Sequence, residues 1–254
     1  MKNSIALILS ILLFACTSEP TQLTDEPNKN PIVETLEQKI KHHIEASLQI
    51  PATEKYEYEK YEAHVNGDDS LDIIITVNRL GHALERAINS DRLAKRAETG
   101  FMGNYNFFFV MDGKTKEISP PILVPSSAKA KLQVRFENIR TEAYKDILID
   151  FKLEHGAFRR FFTMYNGLPK EVFQIMLYDG LGDLENKAIS IEYDQGSYSL
   201  AKDILIYVGK LEKVDFKDPS EVYSYDPKIE NTKVLERRWF FNDNQRKYFT
   251  MKDK

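Results

Sequence analysis

The chain has 254 residues with 35 basic and 39 acidic side chains, which gives a formal net charge of −4. Because the two signs are mixed and no basic stripe is present, this composition argues against a protein that binds nucleic acid. The chain has one cysteine, which excludes an intrachain disulfide, so a folded domain depends on its core and on any metal that it binds.

The N-terminal segment 1–15 predicts a lipoprotein signal peptide. It carries one basic residue, Lys2, and then an apolar run that is shorter than the roughly 20 residues a membrane-spanning helix needs. The run ends in Leu-Phe-Ala-Cys, which resembles the lipobox of bacterial lipoproteins, where cleavage precedes the cysteine and its sulfur is lipidated. This resemblance implies lipidation at Cys16 by acyl chains such as palmitate. The alternative is an ordinary secretory signal followed by a chance cysteine.

Lipidation at Cys16 predicts a membrane-anchored protein of the bacterial cell envelope. Each buried methylene of an acyl chain adds about 0.8 kcal/mol, so several chains hold a protein stably without a transmembrane helix. In lipoproteins of this type an aspartate after the cysteine favours retention, so Thr17 predicts the outer membrane. Residues 16–31 are rich in polar residues and proline, cannot bury enough apolar surface to fold, and are predicted to form a disordered tether.

The folded domain is predicted to span residues 32–254 and to begin with an amphipathic helix. Apolar residues recur there at helical spacing, and Pro51 follows the predicted end of the helix. These apolar residues are Val33, Leu36, Ile40 and Ile44. A similar pattern over residues 82–98 predicts one inserted helix.

Three segments of this domain begin with an aspartate that leads into an isoleucine-rich run. Short runs rich in β-branched residues are typical of strands that are buried on both faces. A strand-like run and a polar loop precede each segment, and an aromatic hairpin follows it. The segments are LDIIITV (Leu71–Val77), KDILIDF (Lys145–Phe151) and KDILIYV (Lys202–Val208), and the hairpin turns fall at Asp112-Gly113, Asn166-Gly167 and Asp243-Asn244.

This order of elements predicts three repeats, at about residues 56–123, 131–178 and 187–252. Each repeat contains four strands, which is the content of one propeller blade. The predicted fold class is therefore mainly β, with three blade-like four-stranded repeats that form a β-propeller-like or open propeller domain. A sandwich with blade-like hairpins remains an alternative, as does chance similarity between strands.

The stretch HVNGDDSLDIIITV, residues 64–77, resembles the calcium loop and strand of FG-GAP or VCBS repeats, the blades of integrin-type β-propellers. The resemblance implies that Asn66, Asp68 and Asp72 are calcium ligands, since calcium prefers carboxylate and amide oxygens on a tight turn. His64 stands where this family has its first aspartate, and Asp69 stands where a glycine is usual. The alternative is a polar turn between strands that binds no metal. No other cofactor is expected.

One group of residues, Asp150, Glu154 and His155, is a candidate acid–base cluster. No motif of a metalloprotease, serine hydrolase or P-loop enzyme occurs in the sequence. The same three residues are also explained as the charged end of a strand.

The preferred function is therefore a non-catalytic scaffold in the envelope that binds a protein or glycan through its loops. An envelope hydrolase that uses the carboxylate and histidine cluster is the first alternative. A purely structural envelope protein is the second.

Overall fold

The structure is a computed structural model that describes residues 34–251. The predicted signal peptide, Cys16 and the tether lie outside these residues. The mainly β fold class is confirmed: the described chain consists of one four-stranded and one eight-stranded antiparallel sheet with three α-helices. Both sheets are open, and residues 34–251 contain no closed propeller ring.

Helix α1, Leu36–Ser47, forms where the apolar spacing predicts it. Thr35 caps its first turn: the backbone N–H of Gln38 donates to Thr35 Oγ1 at 3.2 Å, and Thr35 N–H donates to Gln38 Oε1 at 2.9 Å. This reciprocal capping box satisfies two backbone donors that a helix start leaves free. Ile40 and Ile44 are buried and turn the apolar face of α1 onto the first sheet.

The first sheet has four antiparallel strands in chain order. Every residue of its second strand is buried, as the continuous apolar run predicts. Its strands are β1 (Glu57–Ala63), β2 (Asp72–Asn78), β3 (Asn106–Met111) and β4 (Ile122–Leu123).

Two helices, α2 (Leu80–Ile88) and α3 (Leu93–Gly100), connect β2 to β3. The prediction of one inserted helix over residues 82–98 is therefore wrong. Asn-Ser-Asp at 89–91 separates the helices, and the N–H of Arg92 donates to Ser90 Oγ at 3.2 Å. Such side chains compete with helical backbone bonds, so this polar run ends one helix and precedes the next.

The second sheet has eight strands, each antiparallel to the next along the chain. The turn between its third and fourth strands is Asn166-Gly167, with φ of 50° and 75°, as the Asn-Gly pair predicts. A 3-10 helix, Pro219–Tyr223, lies between the sixth and seventh strands. The strands are β5 (Gln133–Glu137), β6 (Asp146–Leu153), β7 (Gly156–Tyr165), β8 (Leu168–Asp179), β9 (Lys187–Asp194), β10 (Asp203–Leu211), β11 (Ile229–Asn242) and β12 (Lys247–Phe249).

Few backbone pairs join the two halves of the eight-stranded sheet. The ladder between β8 and β9 has only two residue pairs, Tyr178 with Ala188 and Asp179 with Lys187. By contrast, the ladder between β9 and β10 pairs seven residues on each strand. Strands β5–β8 and β9–β12 are therefore two four-stranded groups that share a short junction.

The core consists of apolar layers between successive groups of strands. Alternate residues of β2 face α1 on one side and strands β5–β7 on the other, as the two-residue period of a strand requires. Phe108 of β3 and Phe162 of β7 meet edge to face, with ring centroids 4.9 Å apart. The opposite side of β6 and β7 packs on β10–β12 through Leu148, Phe161 and Ile204.

Candidate functional site

Three aspartates, at the first positions of β2, β6 and β10, share one structural role. Each is buried, and each carboxylate accepts a backbone N–H from the polar loop that precedes its strand. These bonds run from Val65 N to Asp72 Oδ2 at 3.1 Å, from Arg140 N to Asp146 Oδ2 at 2.8 Å and from Ser197 N to Asp203 Oδ2 at 3.1 Å. The aspartates therefore hold three similar loops against the starts of three buried strands.

Backbone hydrogen bonds also join these loops to one another. The N–H of Lys145, just before the second aspartate, donates to the carbonyl oxygen of His64 in the first loop at 2.7 Å. In the same way, Lys202 N–H donates to the carbonyl oxygen of Ile139 in the second loop at 2.8 Å. The loops therefore form a row in which each loop supports the strand start of the next.

The first loop is the one that resembles a calcium loop, and Asp72 is its most enclosed carboxylate. Asp72 Oδ1 accepts the N–H of Gly113 at 2.9 Å and the amide of Asn66 at 3.1 Å. Burial raises the pKa of Asp72 above its usual range, against the lowering effect of the bonds from Gly113 and Val65. A Cβ on Gly113 would lie 2.0 Å from the carbonyl oxygen of Leu71, so only glycine allows this approach.

The structure brings together two of the three predicted ligands, Asn66 and Asp72. Asp68 accepts the N–H of Ser70 at 2.8 Å and donates its own N–H to Asn66 Oδ1 at 2.9 Å, so it builds the turn. Asp112, which the sequence analysis treats only as a hairpin residue, lies with its Oδ2 3.5 Å from Asn66 Nδ2. The position of Asp112 before Gly113, in the turn after an apolar strand, is the sequence signal that places its carboxylate beside the first loop.

A cleft of about 260 Å³ opens beside this loop. Its lining includes Asn66, Asp72 and Asp112 together with the β7–β8 turn at Asn166-Gly167. Within residues 34–251, no three or more histidine, cysteine, aspartate or glutamate residues form a group able to hold a metal ion. Calcium at this loop therefore stays a prediction.

The candidate acid–base cluster is not assembled in the structure. Asp150, on β6, is buried, and both of its oxygens bind the guanidinium of Arg159, at 2.6 and 2.7 Å, with Arg135 Nε at 3.0 Å from Oδ2. Glu154 is exposed in the β6–β7 turn, and His155 Nδ1 contacts a backbone carbonyl oxygen at 2.7 Å. Asp150 is thus committed to an ion pair, and Glu154 and His155 lie in a separate turn.

The outward side of β9–β12 is a second candidate site, which we call the open face and define by Leu205, Tyr207, Phe240 and Phe249. Ile74 and Leu148, two positions after their strand aspartates, are fully buried, whereas Leu205 at the matching position is partly exposed. The four residues of the open face belong to none of the buried apolar clusters found in residues 34–251.

The aromatic rings of the open face contact one another. Tyr198, from the loop before β10, is 61% exposed and meets Phe240 edge to face with ring centroids 5.0 Å apart. Phe249 lies 5.9 Å from Phe240 on the other side. Charged residues border these rings, with Arg238 Nη2 at 3.1 Å from a carboxylate oxygen of Asp194. The periodicity of the sequence distinguishes the two faces of a strand but does not show what covers each face, so it does not reveal that these rings are partly exposed.

Comparison of the chain with family models, curated proteins and solved structures gives no match. Within residues 34–251, no helix is long and apolar enough to cross a bilayer.

Proposed function

We propose that the protein is a lipoprotein of the bacterial outer membrane, anchored through Cys16, that acts as a non-catalytic scaffold for binding another protein. The observation that carries this proposal is the open face, an aromatic sheet surface that borders solvent. The ion pair of Asp150 with Arg159 supports a scaffold over a hydrolase, because both carboxylate oxygens bind guanidinium groups and Glu154 and His155 lie in a separate turn.

We further propose that the domain is an open arc of three blade-like units, made of β1–β4, β5–β8 and β9–β12. The equivalent aspartates and the two bonds between successive loops support this division. The packing of the sheets also supports this division, because one face of β6 and β7 packs on the first unit and the opposite face packs on the third. Closed propellers have typically four to eight blades, so three units leave two end faces. Helix α1 covers the first end face, and the second is the open face.

The chemistry of the open face fits a protein partner better than a glycan. Protein interfaces combine an apolar, aromatic-rich centre with a charged rim, as Phe240 and Arg238 do here. Leu235, which pairs with Tyr207 across β10 and β11, and Leu200, two residues after Tyr198, add exposed aliphatic surface. Aliphatic side chains lack the flat π face that stacks on a sugar ring, so they favour a protein as the bound molecule.

Site-specific photocrosslinking in cells tests this proposal. A photoreactive phenylalanine analogue at Tyr207 is expected to give a discrete protein adduct, and Leu205→Glu should abolish it by placing a charge at the centre of the face. The same analogue at Leu184, a fully exposed position on the β8–β9 connection, is the matched control. Equal adducts from both positions, or none from Tyr207, contradict the proposal. A heterogeneous adduct that glycosidase removes indicates a glycan partner instead.

A further inference from the structure

We propose that the α2–α3 hairpin rests on the surface of a bilayer that contains anionic phospholipid. Both helices expose apolar side chains: Leu84 and Ile88 lie four residues apart on α2, Leu93 begins α3, and Phe101 follows its last residue. Ile88 and Leu93 are 78% and 79% exposed and flank the turn between the helices. An apolar stripe of this kind is the part of an interfacial helix that enters the boundary between headgroups and acyl chains.

Unpaired arginines lie beside these apolar residues. Arg92 immediately precedes Leu93, Arg96 lies one helical turn later on α3, and Arg86 lies on α2. Within residues 34–251 none of the three forms an ion pair, whereas Lys95 on the same helix binds Glu98 at 2.6 Å. Guanidinium groups next to an apolar stripe are suited to lipid phosphates, which they bind in a bidentate manner.

The hairpin also differs in charge from the rest of the molecule. Residues 80–102 contain four basic and three acidic side chains, so their net charge is 4 − 3 = +1, whereas that of the whole chain is −4. The acidic ones are Glu85, Asp91 and Glu98, and the last is neutralised by Lys95. An anionic surface therefore attracts this end of the molecule more than the rest.

The side of the hairpin opposite the exposed apolar residues packs on the rest of the domain. Each helix buries one small residue, Ala83 on α2 and Thr99 on α3. The N–H of Ala128 donates to the carbonyl oxygen of Thr99 at 3.0 Å. Just before α2, Arg79 forms a two-point ion pair with Glu54, with both distances 2.6 Å. The apolar side of the hairpin is thus presented outward on a fixed base.

The proposed anchor brings a bilayer within reach of this surface. The 17 residues from Thr17 to Val33 span at most about 60 Å when fully extended, so lipidation at Cys16 keeps the domain near the membrane. The anchor contributes only this proximity to the bilayer, and the open face takes no part in the contact. A bilayer explains both the apolar stripe and the unpaired arginines, whereas a purely apolar protein groove would leave the arginines without partners.

Vesicle sedimentation with the unlipidated mature chain, Cys16→Ser, tests the inference separately from the anchor. The chain is expected to sediment with vesicles of phosphatidylethanolamine and phosphatidylglycerol, and much less with phosphatidylcholine alone. The double variant Ile88→Glu and Leu93→Glu should lower the partition coefficient by about tenfold or more, because two exposed apolar contacts become charges that lipid repels. Leu184→Glu, a fully exposed leucine outside the hairpin, is the matched control and should leave binding unchanged.

A second pair of changes, Arg92→Gln and Arg96→Gln, should reduce binding to the anionic vesicles by about tenfold and weaken its salt dependence. Thermal melts verify that each variant is folded. The inference is overturned if the parent chain does not sediment with anionic vesicles, or if the hairpin variants bind as well as the Leu184 control. Equal binding to neutral and anionic vesicles overturns the role of the arginines.

Discussion

Replacing Leu148 and Leu205 by alanine, one at a time, measures how much the contact of β6 and β7 with β10–β12 stabilises the domain. The two leucines occupy the same position, two residues after the aspartates of β6 and β10. Leu148 is 0% exposed and packs in the cluster that joins β6 and β7 to β10–β12, whereas Leu205 lies on the open face. The same side-chain change therefore removes fully buried packing in one case and a partly hydrated side chain in the other.

For Leu148→Ala we expect a loss of about 3 kcal/mol in the free energy of unfolding, in the range found for leucine deletions in closed cores. Leu205→Ala should cost less, about 1 kcal/mol, because its side chain is already partly hydrated on the open face and its removal leaves no closed cavity. At a urea dependence of roughly 3 kcal/mol per molar, the Leu148 variant unfolds about 1 M earlier.

The assay is urea unfolding followed by the fluorescence of Trp239, the single tryptophan of the chain. Its ring lies 4.9 Å from Phe173, in the layer between β5–β8 and β9–β12, so the signal reports the contact that Leu148 supports. Leu184→Ala is the exposed control and should leave the midpoint unchanged. Equal losses for Leu148→Ala and Leu205→Ala would refute the reasoning, because they would mean that the open face is covered like the inner ones.

Two further predictions concern calcium and the anchor. If the loop that contains Asn66 and Asp68 binds calcium, excess calcium raises the melting temperature and a chelator lowers it, and Asp72→Asn removes both shifts. Because burial raises the pKa of Asp72, protons compete with the metal, and the increase in melting temperature caused by calcium should become smaller as the pH is lowered. Identical melting temperatures with calcium and with chelator would contradict a calcium site. Cys16→Ser should move the protein from the membrane to the soluble fraction of cells, and retention in washed membranes would count against lipidation.

The sequence predicts the strands of this fold well, because their causes are local. The isoleucine-rich run after Asp72 is buried on both sides, so its apolar residues are continuous and distinct from any helical pattern. The Asn166-Gly167 turn follows from two residues that accept positive φ at little cost. The sequence also predicts the three similar loops, because an aspartate at the start of each isoleucine-rich run is a local signal.

The rest of the fold depends on contacts between distant residues, which periodicity does not encode. The break between α2 and α3 was missed because the apolar spacing continues across the polar residues 89–91. The ion pair between Asp150 and Arg159 forms because these residues lie opposite each other in the pairing of β6 with β7. In the same way, Asp112 joins the first loop only because β3 ends beside the start of β2.

Helix α1 has a consequence for assembly. An arc of stacked sheets with two bare ends could join copy to copy in a head-to-tail manner, and such contacts do not close and therefore grow into filaments. Ile40 and Ile44 of α1 fill the surface on which a neighbouring copy would otherwise stack. In the proposed arc of three units, the helix would therefore block association at one end and leave one surface for it instead of two.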